Sequence, residues 1–344
     1  MGDTHMDISG NADQEYGNFS VDGDNNYDST VASAVGAVLL SLLGVAGITG
    51  NLYTLIVLHA SRGATSASVR VHVANLALAD LLYLTTIPFV VHNSLAGDWH
   101  FGEAGCRVLL TLDLLTMHTS SFTLTAMSAE RYLAVAKPFH ALRRARSNYR
   151  MTLALASWLL AFFLTLPMMS MIRQEERWLE DGDVRRLCTP SWSHERYKAY
   201  LTVLFATSIL LPGIAIGYLY AKLARAYWIS QTKSLLNKEL RRAPRHKVVL
   251  TTFIIVLAFW ACFLPFWAWQ LVPLYSHHLA TISERMEVCI NSLVTCLTYG
   301  NSCINPFLYT LLSRNYRDYR RKQQRGPGPP GVQHCTETGT VSQL

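Results

Sequence analysis

Apolar residues in this chain come in long unbroken runs rather than in alternation with polar ones. Five stretches, 31–58, 151–172, 199–221, 248–273 and 288–313, contain no Asp, Glu, Lys or Arg. Two more, 71–91 and 109–136, are apolar apart from Asp80 in the first and Asp113, Glu130 and Arg131 in the second. A helix rises about 1.5 Å per residue, and about 20 residues cross a bilayer core. The pattern therefore predicts an all-α protein, a seven-transmembrane helix bundle over 31–313. A β-barrel is excluded, because its strands alternate apolar and polar residues over about 10-residue segments.

Composition agrees. The 344 residues are 50% hydrophobic and only 15% charged, with a mean hydropathy of +0.18. Soluble domains carry about 25% charged residues, so this chain cannot coat a water-facing surface. Disorder is excluded too, since disordered chains are poor in apolar residues.

Lys and Arg mark cytoplasmic loops. Residues 1–30 hold neither, but carry Asp3, Asp7, Asp13, Glu15, Asp22, Asp24 and Asp28. Basic residues crowd the segments after the third, fifth and seventh runs. Alternate threading puts the N-terminal tail outside and the C-terminus in the cytosol, as in a multi-pass plasma-membrane protein. The net charge of +7 then reflects attraction to inner-leaflet lipid, not nucleic acid. No basic, apolar leader opens the chain, so the first run is expected to insert itself. Asn18-Phe19-Ser20 is a glycosylation sequon in the outer tail. After the seventh run, Leu312, Tyr316 and Tyr319 alternate with Arg314, Arg317, Arg320, Arg321 and Lys322. This predicts a short amphipathic cytoplasmic helix over 314–325, then a flexible tail over 326–344 that begins GPGPPG.

Cys106 and Cys188 both face the oxidising side, where a disulfide would tether the 173–198 segment over the bundle mouth; two free thiols are the alternative. Cys262, Cys289, Cys296 and Cys303 fall in apolar runs and read as packing residues.

Ionisable groups inside a membrane are costly enough to suggest function. Asp113 lies seven residues past Cys106, roughly 10 Å down its helix. It reads as a counter-ion for a cationic ligand; pairing with Tyr299 is the structural alternative. Asp80 is near the midplane, where Ser120, Asn301, Ser302 and Asn305 supply neutral oxygens for a sodium-like ion, or for a hydrated cluster without one. Arg131 falls at the inner edge, held by Glu130 until a cytosolic partner engages it, or simply snorkelling. Pro88, Pro167, Pro212, Pro265 and Pro306 interrupt the runs and predict kinks. His92, His100, His194, His277 and His278 stand at loop ends without metal-ligand spacing and read as surface residues.

In order along the chain come Gly50-Asn51, NLALAD ending at Asp80, Cys106, Glu130-Arg131-Tyr132, Trp158, Cys188, Pro212, FWACFLPFW around Pro265, and Asn305-Pro306-Phe307-Leu308-Tyr309. Together they resemble the rhodopsin-like (class A) G-protein-coupled receptors over about 31–320. DLLTMH, AYLTVLFATS, YLYAKLARAY and TCLTYGNSCINPFLYTLL resemble more narrowly the urotensin-II receptor branch, akin to the somatostatin and opioid receptors. That resemblance implies a non-enzyme that binds a short cationic cyclic peptide outside. Inside, it implies coupling to Gq-class heterotrimeric G proteins, phospholipase C and calcium release. Asp113 would meet a ligand lysine. Met117, Trp192, Phe263, Phe266, Trp267, Gln270, Thr295 and Tyr299 would line the cavity, or be plain interior packing. Glu130, Arg131, Tyr132, Tyr220, Asn305, Pro306 and Tyr309 would carry activation and G-protein coupling. Thr336, Thr338, Thr340 and Ser342 offer phosphorylation sites for arrestin.

Three departures stand out. Phe263 replaces the family's usual tryptophan. Ser121 replaces a branched apolar residue, predicting a looser contact with Pro212 and Phe259. Arg245-His246-Lys247 offers no acid to clasp Arg131, predicting some basal activity. An amine receptor is the alternative within the family; the Trp-rich outer end, with Trp99, Trp178, Trp192, Trp267 and Trp269, favours a larger peptide. A retinal protein needs a lysine in the seventh run, which has none. A transporter is disfavoured by the lack of matching interrupted halves.

Overall fold

The computed structural model describes residues 18–60, 67–136, 149–178, 184–233, 243–276 and 284–324. They form seven helical rods and a two-stranded hairpin. Span 1 is Asn18–Ala60. Span 2 comes in two pieces, Ala67–Leu84 and Ile87–Ala96. Span 3 is Gly102–Ala136 and span 4 Tyr149–Met171. Strands β1 (Ile172–Trp178) and β2 (Val184–Pro190) follow. Span 5 joins His194–Phe205, a π-turn at Ala206–Leu210 and Leu211–Lys233. Span 6 is Ala243–Tyr275 and span 7 Glu284–Gln324.

Five of these rods (spans 1, 2, 4, 5 and 6) are long and apolar enough to cross a membrane on length and composition alone. The bundle is apolar outside, and its mixed interior gathers buried polar residues. Val35, Leu42, Val45, Ile56, Phe163, Ile214 and Phe307 are exposed, while Asn51, Asn75, Asp80, Ser120, Asn301, Ser302 and Asn305 are buried. Lipid rewards that inversion, since polar groups lose nothing by facing one another there. Asn75 ties three spans together: its Nδ2 donates to Thr123 Oγ1 at 2.7 Å, and its Oδ1 accepts from Trp158 Nε1 at 2.7 Å.

Two helices run past the boundaries expected from the sequence. The helix of span 1 begins at Asn18, inside the segment expected to be tail up to residue 30, while its apolar stretch begins at Thr30, beside the expected start of the span. Once an apolar helix has nucleated, adding a residue costs little, so the polar turns extend it. At the other end, span 7 runs on to Gln324, without a break before the amphipathic stretch expected over 314–325. No Gly or Pro occurs between Phe307 and Gln324, so nothing in the chain stops the helix. The glycosylation side chain of Asn18, and everything after residue 324, lie outside the described residues.

Span 2 breaks where Pro88 removes a backbone donor, and Thr86 N–H turns back to Tyr83 O at 3.0 Å. Its second piece ends at Gly97, whose φ of 61° admits glycine readily while its N–H caps Asn93 O. The hairpin that follows span 4 pairs antiparallel from Ile172↔Pro190 to Trp178↔Val184.

Candidate functional site

The site is built from the helix faces that meet behind the disulfide. Cys106, near the start of span 3, is bonded to Cys188 of β2, with Cα atoms 5.7 Å apart. A second clasp reinforces it. Asp98 Oδ1 accepts the Arg186 backbone N–H at 2.7 Å, and Oδ2 accepts its Nη2 at 2.6 Å. Trp99 N–H donates to Arg186 O at 3.0 Å. The guanidinium beside Asp98 holds that carboxyl well below the ordinary carboxylate range, at about 2. Arg107 donates to Glu103 and reaches Ile172 O. Together these contacts seat the hairpin over span 3.

Below this roof lies a small cavity of about 10 Å³ lined by Ala79, Asp80, Tyr83, Asp113, Thr116, Met117, Ser120, Phe263, Asn301 and Ser302. Both sequence-predicted carboxylates therefore open onto one space. Their surroundings differ. Asp80 receives Ser302 Oγ at 2.8 Å on Oδ1 and Asn305 Nδ2 at 2.9 Å on Oδ2. Asp113 Oδ1 is buried and accepts no hydrogen bond.

Tyr299 does not supply the missing donor, because its proton is already used. Thr86 Oγ1 donates its single hydrogen to Tyr83 O at 2.6 Å. The 2.6 Å contact between Thr86 Oγ1 and Tyr299 Oη must then be a donation from the tyrosine. Stacking of Tyr299 on Tyr83, with centroids 4.1 Å apart and planes at 4°, fixes the ring. Pairing of Asp113 with Tyr299, the structural alternative, is not what the hydrogen bonds show. Thr86 and Tyr83 were missed by sequence reasoning, and no pattern along the chain marks them.

The other expected lining residues divide. Met117, Phe263, Trp267 and Tyr299 are buried, and Phe266, Gln270, Thr295 and Trp192 are half-buried. Only Met117 and Phe263 join Asp113 on the described cavity wall. Trp267 packs edge-on against Phe205 and Phe266, and its buried Nε1 has no hydrogen-bond partner. Trp192 stands edge-on to Tyr200, Trp178 is exposed and Trp99 is buried. The tryptophan-rich end is thus only partly a surface.

Span 5 meets span 3 through polar contacts. His118, fully buried, reaches Thr207 Oγ1 at 3.1 Å. Ser121 Oγ donates to Ser208 O inside the π-turn. Ser121 is thus tied to span 5 by a hydrogen bond.

At the far end of span 3, Glu130 is held by Arg150 of span 4 at 3.1 Å and faces His72 of span 2 at 3.5 Å. Arg150 is an anchor that sequence reasoning missed. Tyr220 of span 5 is hydrogen-bonded to Ser128 and within electrostatic reach of Arg131. Tyr132 is half-buried. Asn305 and Pro306 are buried; the side chains of Tyr309 and of Arg245-His246-Lys247 lie outside the described residues. Asn51 Nδ2 joins span 1 to span 7 through Ser302 O at 2.9 Å. Of the four cysteines expected to pack, Cys262 and Cys303 are buried, Cys296 is intermediate and Cys289 is exposed.

A rod bundle roofed by a disulfide-pinned hairpin, with an open carboxylate beneath and an arginine at its other end, is a receptor architecture. Residues 50–309 match the family of 7 transmembrane receptors (rhodopsin family), and the chain belongs to that family. It is a multi-pass G-protein-coupled receptor of the plasma membrane and not an enzyme. It is similar to the urotensin-2 receptor of Bos taurus, 51% identical over 327 residues, 93% of this chain and 82% of the relative. It is likewise similar to that of Homo sapiens, at 52% over 89% of this chain and 76% of the relative. The somatostatin receptor type 4 of Rattus norvegicus is 30% identical over 81% of this chain and 70% of its own length.

Proposed function

We propose that this receptor binds a short cyclic peptide of the urotensin-II type, with a lysine between aromatic residues. It passes the signal to Gq-class G proteins, phospholipase C and calcium release. The observation that carries the reading is the buried, donorless Oδ1 of Asp113. Leaving a buried acceptor unpaired costs about 1–3 kcal/mol, more when it is charged, and a lysine ammonium entering beside Met117 and Phe263 removes that cost. The relatives named for peptides, urotensin-2 and somatostatin, support a peptide over a small amine.

The N-terminus faces outward and the C-terminus inward, which places the disulfide roof at the ligand entrance. Asp80, Ser120, Asn301, Ser302 and Asn305 present one carboxylate among neutral oxygens, a donor set that suits a sodium ion acting on ligand affinity. Inside, Arg131 engages the G protein, arrestin follows phosphorylation of the tail, and basic residues past span 7 meet inner-leaflet lipid. A ligand that prefers the active bundle shifts an existing equilibrium, and the G protein strengthens that preference reciprocally.

The deciding experiment compares a cyclic lysine-containing peptide, a somatostatin-like peptide and biogenic amines in a cellular calcium assay. The expected result is a response to the first, abolished by a Gq-class inhibitor. A response to amines with none to the peptide overturns the reading.

A further inference from the structure

The second piece of span 2 and the loop behind it bring together two histidines eight residues apart. His92 Nε2 lies 3.2 Å from His100 Nδ1, with ring centroids 5.1 Å apart and planes at 69°. Both side chains are exposed at the disulfide end. Their spacing along the chain gave no sign of a metal centre. The fold creates it, because Gly97 turns the chain back and Phe101 packs against both Phe89 and His92.

We propose that His92 and His100 form a binding site for a divalent transition-metal cation of the zinc type. Zinc–imidazole bonds are about 2.0–2.1 Å, so two of them at a tetrahedral angle set the nitrogens about 3.3 Å apart. The observed 3.2 Å, itself a hydrogen-bond length, matches that edge, so the ion would take the place of a proton between the rings. Two nitrogen donors select zinc or copper(II) over magnesium and calcium, which prefer oxygen.

The surroundings supply the outer shell. His100 Nε2 lies 3.3 Å from Asp98 Oδ2. Zinc binding at Nδ1 would leave the ring proton on Nε2, where that carboxylate accepts it. Asp98 is itself held by three contacts from Arg186, which makes it an orienting group and not a ligand. Its backbone oxygen accepts a hydrogen bond from His100 Nδ1 at 3.0 Å, a proton that zinc displaces on binding. Among the described residues no cluster of three or more His, Cys, Asp or Glu could hold a metal. The site is therefore a two-imidazole one, completed by water. Because Asp98 also clasps Arg186, two residues before Cys188, the ion sits at the root of the hairpin roof.

The test uses the purified full-length receptor in lipid nanodiscs, titrated with zinc against a chromophoric chelator. Wild type is expected to hold one more zinc equivalent than His92→Ala or His100→Ala. Asp98→Asn is expected to weaken that equivalent by about 10–100-fold. Equal zinc uptake by wild type and both histidine variants overturns the proposal. A second measurement needs no variant: zinc, but not magnesium, is expected to protect His92 and His100 of the wild type from diethyl pyrocarbonate. Modification at the same rate with and without zinc overturns the site as well.

Discussion

Asp80 and Asp113 share one cavity but have opposite fates. Asp80 has a donor on each oxygen, from Ser302 and Asn305 of span 7. Asp113 has an oxygen with none, and Tyr299, the partner weighed for it, has given its proton to Thr86. A buried acid whose hydrogen bonds are met by its own fold holds helices together. One left incomplete has an acceptor to offer a ligand's donor, the role proposed for Asp113. The residue type is the same in both places; the difference lies in which neighbours have protons to spare.

The largest effect is expected from Asp113→Asn. Removing one member of a desolvated charge pair costs about 3–5 kcal/mol, which is roughly two to three and a half orders of magnitude in peptide potency. Replacing the ligand lysine by norleucine should cost little further in that variant. An unchanged half-maximal concentration breaks the contrast between the two carboxylates. Next comes Asp80→Asn, read by agonist affinity in sodium against a large organic cation. Allosteric couplings are about 5–150-fold, so wild type is expected to lose about tenfold in sodium, and the variant almost nothing. An equal loss in both would take the ion away from Asp80.

Thr86→Val sharpens the proton argument. It removes the acceptor that occupies Tyr299, leaving the phenol to donate to Asp113 in competition with the ligand. One neutral hydrogen bond is worth about 1 kcal/mol, so potency should fall roughly fivefold and return when Tyr299→Phe is added. No fall would place the phenolic proton elsewhere. The smallest effect belongs to the Asp98–Arg186 clasp. Asp98 is depressed to about 2 from about 3.9 in an unfolded chain. Its contribution is therefore present above pH 4 and lost as pH falls toward 2. The difference in melting temperature between wild type and Arg186→Gln should stay flat from pH 8 to 5 and shrink below 4. Growth of that difference in acid would contradict the assignment.

The rods were legible because length and apolarity alone identify a membrane span, and Pro88 announced the break in span 2. The hairpin was not. Arg173, Gln174, Glu175 and Glu176 show no apolar alternation, and β1 is held by β2 and the disulfide rather than by a hydrophobic face. Asp113, Asp80 and the Ser302–Asn305 pair could be read from the cost of polarity in lipid. Thr86, Arg150 and His118 could not, since their roles depend on distances between separate spans. Glu130 shows the limit well: sequence adjacency pointed to Arg131, and the fold adds Arg150 from twenty residues away.

The π-turn in span 5 carries a consequence for anyone comparing this chain with its kin. Widening the coil at Ala206–Leu210 accommodates one surplus residue, and one residue of an ordinary helix is about 100° of rotation. Counting backward from Pro212 in steps of 3.6 therefore names the wrong side chains for the upper half of the rod. Tyr197, Tyr200 and Phe205 point where a ruler laid along the primary structure says they should not, so a substitution chosen by such bookkeeping would probe the lipid instead of the chamber.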